Sequence, residues 1–430
     1  MRKFFYNLLL PVGFLFFLPG LLYKFRHRGG WKDTFAERFG RFSPERAAEL
    51  ARWRGAVWIH AVSVGETVIA VNLIRVWQNA HPERRFVLST TTTTGQELAR
   101  SRKLDNTEVI FCPIDFPGMV RRTLDLIAPV MLVILETEIW PNLIWECRKR
   151  SIPVALANGR MSDHSARGYR RGRIFFGPLL AEIPLLLVQS EADRKRYLSV
   201  SPECNVVVSG NLKFDQQPPE NIADPELAKY FGPGEHLVLL GASTHSGEEE
   251  FLVENFLALK PDFPSLRLVL VPRHAERGRD IAEMIERHQV SYYRRSLGGA
   301  PDKPVEVLLA DTTGEMFKFL KYSDIVIMGK SLAGHDEGHN LIEPALLDKP
   351  IVTGHILRNF RFILNALLAE DAVAVVSCDA ELKTQLTKLL GDPELRRELG
   401  ARAGAVVRRH CGATGRTVEA LEKLLESASA

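Results

Sequence analysis

Cysteine is scarce and scattered. Five residues, Cys112, Cys147, Cys204, Cys378 and Cys411, are spread through 430 positions. Their odd count and the lack of a Cys-x-x-Cys pair argue against a disulfide framework or structural zinc, and fit a reducing cytosol. No Gly-x-x-x-x-Gly-Lys-Ser/Thr loop occurs, which disfavours a P-loop nucleotidase. The run His335-Asp336-Glu337-Gly338-His339 lacks the His-Glu-x-x-His order of a helical zinc site, and Gly334 and Gly338 break any long helix there. A net charge of +4 gives no case for nucleic acid. Beyond Thr90–Thr94 there is no low-complexity tract, and there is no internal repeat.

What is present begins with an apolar N-terminus. From Phe4 to Tyr23 only Asn7 is strongly polar; Arg2 and Lys3 precede the run, and Lys24, Arg26, His27 and Arg28 follow it. Roughly 20 apolar residues are enough to cross a bilayer as a helix. The basic flank places the following segment in the cytoplasm, and nothing resembles a signal-peptidase site. The expectation is an uncleaved anchor in 1–30. Pro11 and Pro19 leave open whether it spans the membrane or lies in its interface. The next stretch, Trp31 to Arg54, reads as helical.

A rhythm follows. Apolar, β-rich runs at Val57–Val64, Phe86–Thr91, Glu108–Ile114, Val130–Leu135, Pro153–Asn158, Leu185–Gln189 and Val206–Ser209 alternate with longer amphipathic stretches. Continuous rather than alternating polarity marks strands covered on both faces, hence parallel sheets of βαβ units. Gln216 to Pro233, opening Gln-Gln-Pro-Pro, reads as a linker. The rhythm restarts at Leu237–Leu240, Leu266–Val271, Val305–Leu309, Ile325–Met328, Ile351–Val352 and Val373–Val376. Helices near 392–410 and 415–427 close the chain. The expected architecture is α/β: two doubly wound domains, 31–215 and 234–430, facing a cleft and joined by the linker 216–233.

In such sheets ligands sit beyond the carboxyl ends of the strands, so residues there are the candidates. After the first strand come Ser63, Gly65 and Glu66; Gly65 suits a tight turn, and Glu66 is either a proton acceptor or a carboxylate favoured by a helix N-terminus. After the fourth come Glu136 and Glu138, an acid pair able to orient an acceptor, stabilise positive charge or hold a metal. After the seventh comes Lys213, a cation for phosphate or carboxylate, or a plain linker lysine. In the second half Ser243 and Thr244 permit close approach of a phosphate to backbone N–H groups. Arg273, between Pro272 and His274, offers a fork for an anion. Gly314, Glu315 and Met316, then Ser331, then Asn340, Leu341, Ile342 and Glu343 end the later strands; Glu343 suits ribose hydroxyls and Asn340 a helix cap. Arg167, Arg170, Arg171 and Arg173 meet lipid phosphates or simply coat a helix.

Together HAVSVGE (60–66), ETEIWPN (136–142), SGNLKFD (209–215), GASTHSGEEE (241–250), PRHAER (272–277), DTTGEMFKFLKYSD (311–324) and GHNLIEP (338–344) resemble, in order, the motifs of the 3-deoxy-D-manno-octulosonic acid (Kdo) transferases of lipopolysaccharide synthesis. The resemblance runs from the anchor to about Phe360. It implies a GT-B fold of two Rossmann-like domains, the first for the acceptor and the second for the nucleotide. It implies an inverting transfer of Kdo from CMP-Kdo to the primary hydroxyl of a lipid A precursor, at the cytoplasmic side of the inner membrane. By resemblance Glu66 is the general base and Glu136 and Lys213 stabilise the transition state. Pro272, Arg273, Gly314–Met316 and Asn340–Glu343 look like CMP contacts, with Ser63, Gly65, Glu138, Ser243, Thr244, His274 and Ser331 beside them. No metal or other cofactor is expected, because CMP leaves as a monophosphate and no Asp-x-Asp occurs; Glu136-Thr137-Glu138 is the nearest mimic. The chain departs from the family at Lys330 and Glu337, where glycine is usual. The alternative is a GT-B transferase with a UDP-sugar donor and a lipid acceptor.

Overall fold

A computed structural model describes residues 2–28, 36–219, 221–358 and 360–429. The chain divides into two compact units, 1–215 with 411–430, and 216–410.

The first unit holds strands β1 (Val57–Ala61), β2 (Phe86–Thr90), β3 (Thr107–Phe111), β4 (Met131–Leu135), β5 (Val154–Gly159), β6 (Leu185–Val188) and β7 (Val206–Val208). They form one sheet in the order β3-β2-β1-β4-β5-β6-β7, every pairing parallel. The continuous apolar runs explain this. Successive side chains point to opposite faces, so Trp58, Val87 and Leu132 enter one core while Val57, Ile59, Leu88 and Val133 enter the other.

The second unit repeats the plan with β8 (Leu237–Thr244), β9 (Leu266–Pro272), β10 (Tyr292–Arg294), β11 (Val307–Leu309), β12 (Ile325–Met328), β13 (Ile351–Gly354) and β14 (Ala374–Val376), in the order β10-β11-β9-β8-β12-β13-β14. Strand β10 was not among the expected runs. It is an edge strand of sequence Tyr-Tyr-Arg, half-buried throughout, so it carries no apolar signature.

Two expectations need correction. The last helix, Ala413–Ser429, belongs with the first unit rather than closing the second. Val418, Leu421 and Leu425 join the first sheet's core, each burial contributing roughly 1.5–3 kcal/mol. Glu422 on the same helix accepts from Trp77 Nε1 at 2.5 Å and from Arg84 Nη2 at 2.6 Å. Next, the expected linker contains a short helix, Leu227–Phe231, with Tyr230 and Phe231 buried. No helix among the described residues is long and apolar enough to cross a membrane; of the two arrangements left open for the anchor, the spanning one is not confirmed.

The N-terminal segment does form a helix, Arg2–Arg28, broken by neither proline. It docks on the first unit through polar groups. Lys3 Nζ meets Glu146 at 2.8 Å, Tyr6 donates to buried Asp115 at 2.9 Å, and Asn7 and Asn142 exchange amide hydrogen bonds. Burial pushes the Asp115 carboxyl up to about 7. Phe4, Phe5, Leu8, Leu9, Val12 and Leu15 remain more than half exposed along the other side. Of the stretch expected to be helical after it, 31–35 lie outside the described residues, and a helix forms at Pro44–Ala51.

Candidate active site

In the first unit the strand order reverses between β1 and β4, the switch point where doubly wound sheets take ligands. Ser63 follows β1 and caps the helix Val64–Ala80, its Oγ accepting the Glu66 N–H at 3.2 Å. Glu66 answers: Oε1 accepts from Ser63 Oγ at 2.9 Å and Oε2 from Val62 N–H at 2.8 Å, a reciprocal arrangement akin to a capping box. Both readings of Glu66 therefore hold at once. It caps, and it sits at the switch point. Burial raises its pKa, the local hydrogen bonds lower it, and the negative charge of Glu136 raises it further. Gly65 lies in the helix's first turn with an ordinary φ, and a Cβ there would meet only Ser63 Oγ at 3.9 Å; the turn does not require glycine.

Glu136 follows β4 with φ 55°, its N–H bonded to Ala157 O at 3.0 Å. It is 4% exposed and lies between two cations. Arg160 Nε donates to Oε2 at 2.9 Å, and Lys213 Nζ lies 2.9 Å from Oε1 as an ion pair outside hydrogen-bond alignment. Lys213 stands in a tight turn, Leu212–Asp215, whose start is tied to Asn158 through Leu212 N–H at 3.0 Å. Glu138 is half-buried; burial, then Glu66, raise its pKa, against a hydrogen bond from Trp140. Beside this set opens a cavity of about 330 Å³, lined by Thr137, Ile139, Arg160, Ser162, Tyr169 and Tyr197. Arg160 went unnoticed in the sequence, although it follows β5 directly and the strand-end rule would have found it.

The second sheet reverses between β8 and β12. Ser243 adopts φ 56° and faces Gly329 so closely that a Cβ on the glycine would lie 2.4 Å from Ser243 O. The organising residue is Glu248, 1% exposed, which no single-residue signal revealed. Its carboxylate accepts four backbone N–H groups: His245 at 2.9 Å, Lys330 at 2.7 Å, Ser331 at 3.0 Å and Leu332 at 2.9 Å. It fastens the loop after β8 to the loop after β12.

Several expected contacts have their side chains committed elsewhere. Leu341 and Ile342 are fully buried core residues, and Pro272 is buried at the end of β9. Ser331 Oγ donates to Met328 O at 2.6 Å and accepts from Gly354 N–H at 3.0 Å. Glu315 is gripped by Arg295 Nε at 2.7 Å and Nη2 at 2.9 Å and by Lys318, and the arginine holds its carboxyl down to about 2. Thr244 is fully buried, its hydroxyl unpartnered. These residues offer a ligand backbone groups at most. Gly314, at φ 82°, and Met316, first residue of the helix Met316–Lys321, flank Glu315.

Arg273 and His274 are exposed, and the Arg273 charge acts on the Glu343 carboxyl and on His339. Asn340 bridges Gln216 Oε1 at 3.1 Å and Glu343 Oε1 at 3.2 Å, and caps through Ile342 N–H at 3.1 Å. Burial raises the Glu343 carboxyl. His245 and His339 stack with ring centroids 5.2 Å apart and Nε2 atoms 3.0 Å apart, so one ring donates and the other accepts. Burial first, then the surrounding cations, lower His245 to about 4 and His339 to about 3. Among the described residues no group of three His, Cys, Asp or Glu is close enough to hold a metal ion.

Two parallel seven-stranded α/β units, each with its functional groups at its own switch point, define the class: a GT-B glycosyltransferase fold. Solved structures of like fold include a UDP-GlcNAc 2-epimerase from Neisseria meningitidis, with TM-score 0.58 and 14% identity over 86% of this chain and 100% of that one. A glycosyltransferase from Rickettsia africae matches at TM-score 0.58 and 11% identity, over 87% and 98%. Sequence narrows the class. The family model described as 3-deoxy-D-manno-octulosonic-acid transferase matches residues 33–216. The 3-deoxy-D-manno-octulosonic acid transferase of Haemophilus influenzae is 31% identical over 92% of each chain, and that of Bordetella pertussis 33% identical over 93% of this chain and 94% of its own. The chain belongs to the 3-deoxy-D-manno-octulosonic acid transferase family, and is a glycosyltransferase.

Proposed function

We propose that the protein moves Kdo from CMP-Kdo to the primary hydroxyl of a lipid A precursor, inverting the anomeric carbon. The observation that carries this reading is the placement of Glu66 and Glu136 at the first sheet's switch point, with Lys213 and Arg160 on Glu136. Glu66 takes the acceptor's proton as its oxygen attacks, and burial, which raises its pKa, makes it a stronger base than an exposed carboxylate. The transition state gathers positive charge at the sugar and negative charge on the departing phosphate. Glu136 answers the first, while Lys213 keeps the acid from standing unpaired. Arg273, exposed beyond β9, answers the second. The cavity beside Arg160 gives the acceptor sugar a place against the acids.

Incubation with CMP-Kdo and a tetraacylated lipid A precursor, followed by mass spectrometry, tests the reading. A mass gain of one or more Kdo units is expected. Turnover of UDP-GlcNAc with CMP-Kdo left intact would replace it with the UDP-sugar alternative.

The same reading puts the enzyme at the inner membrane's cytoplasmic face. The row Phe4, Phe5, Leu8, Leu9, Val12 and Leu15 repeats at helical spacing on the side of its helix away from Tyr6 and Asn7, which suits a helix lying in the lipid interface. Charged replacements at Leu8 and Val12 should release the protein from lipid vesicles in a flotation assay; unchanged flotation would refute this attachment.

A further inference from the structure

Lys330 and Glu337 form an ion pair at the mouth of the loop after β12. The loop's frame is fixed around them. Lys330 N–H is held by Glu248 at 2.7 Å, and Lys330 O accepts Gly338 N–H at 2.6 Å, closing 330–338 into a ring. His335 Nε2 reaches Ser246 O at 2.9 Å, and Asp336 pairs with Arg358. The Lys330–Glu337 pair is held by its side chains alone, 26% and 48% exposed.

Two permanent cations, Lys330 and Arg273, stand here among imidazoles, and Arg273 also acts on the buried Glu343 carboxyl. Arg273 and His274 enter from beyond β9, His245 from beyond β8, and His335 and His339 from the loop itself. Arg277 lies near too, but is spent on Glu249. Against these groups Glu337 is the acid acting on both Lys330 and His339. It is also poorly protected, with 48% of its side chain exposed. Exposed ion pairs are weak, and a phosphate offers more charge and more acceptor atoms than a carboxylate.

We propose that Lys330 is a phosphate ligand for the donor nucleotide, and that Glu337 competes with that phosphate for it. The proposal rests on the reading that the second unit holds the nucleotide. A phosphate arriving at the switch point takes the ammonium, and Glu337 turns to solvent. Glu337 thereby sets the affinity: it weakens nucleotide binding and speeds release of the product monophosphate.

Calorimetric titration of the full chain with CMP, and with cytidine as control, tests this. Lys330→Gln should weaken CMP binding roughly tenfold, as expected for one charge-assisted contact. Glu337→Gln should tighten it roughly threefold to fivefold. In the double variant the gain from Glu337→Gln should vanish, and cytidine should respond to neither change. If both single variants bind CMP like the parent, or both weaken alike, the exchange is disproved. Should Lys330→Gln fail to fold in a thermal melt, the tightening by Glu337→Gln alone decides. If the protein ignores CMP yet binds UMP with the same opposed pattern, the cytidylate reading fails and the exchange stands.

Discussion

The two units share a plan and differ in the ionisable groups set beyond their strands. At the first switch point three carboxylates, Glu66, Glu136 and Glu138, act on one another; burial and mutual repulsion raise the pKa values of Glu66 and Glu138. At the second, Arg273, Lys330 and four histidines gather, and burial with cationic neighbours drives His245 and His339 down. Both sites thus press ionisable groups toward neutrality, from opposite sides. A shared topology fixes where chemistry happens, while the residues beyond the strands decide which sign of charge is welcome there.

Removing the base should break this comparison most severely. Glu66→Gln keeps the shape and should lower kcat for transfer by about 10²–10⁴-fold, measured as product formed, while binding of CMP by the second unit is retained. An equal loss of CMP affinity would undo the division of labour.

Next in size comes the frame of the second site. Glu248→Ala leaves four backbone N–H groups, two of them buried and two partly so, without their acceptor. It should cost about 3 kcal/mol or more, seen in denaturant unfolding monitored by a probe in the second unit. A loss under about 1 kcal/mol would mean that the loops hold without it.

The smallest effect is the most diagnostic. Glu66 must be ionised to accept a proton, so transfer should rise with pH across an acid limb displaced above the ordinary carboxylate range. Glu138→Gln removes a like charge and should move that limb toward lower pH. His245 and His339 run the other way: their neutral forms dominate at pH 7 and give way only as pH falls towards about 4 and about 3. An upward shift on Glu138→Gln in the kcat/KM profile would reverse the assigned sign.

Much of this was legible in the sequence because buried parallel strands announce themselves. Ile325–Met328 and Leu185–Val188 read as apolar runs, and the acids beyond β1 and β4 followed from the strand ends. Three things were not legible. Glu248 looks like any first-turn glutamate until the loop after β12, some eighty residues on, folds over it. His245 and His339 are 94 positions apart, and no local pattern pairs them. Strand β10, short and polar at an edge, carries no periodicity. Among the expected contacts, Ser331, Leu341 and Ile342 lie where they were looked for along the chain, but packing turned their side chains inward.

The return of the final helix to the first unit has a consequence for biosynthesis. A ribosome delivers the first sheet early, yet Ala413, Val418, Leu421 and Leu425, which cover part of one of its faces, come only after the whole second unit. For most of translation that apolar face waits, dependent on whatever shields nascent chains. A chain stopped after His410 would hold the whole second unit and leave the first one unfinished.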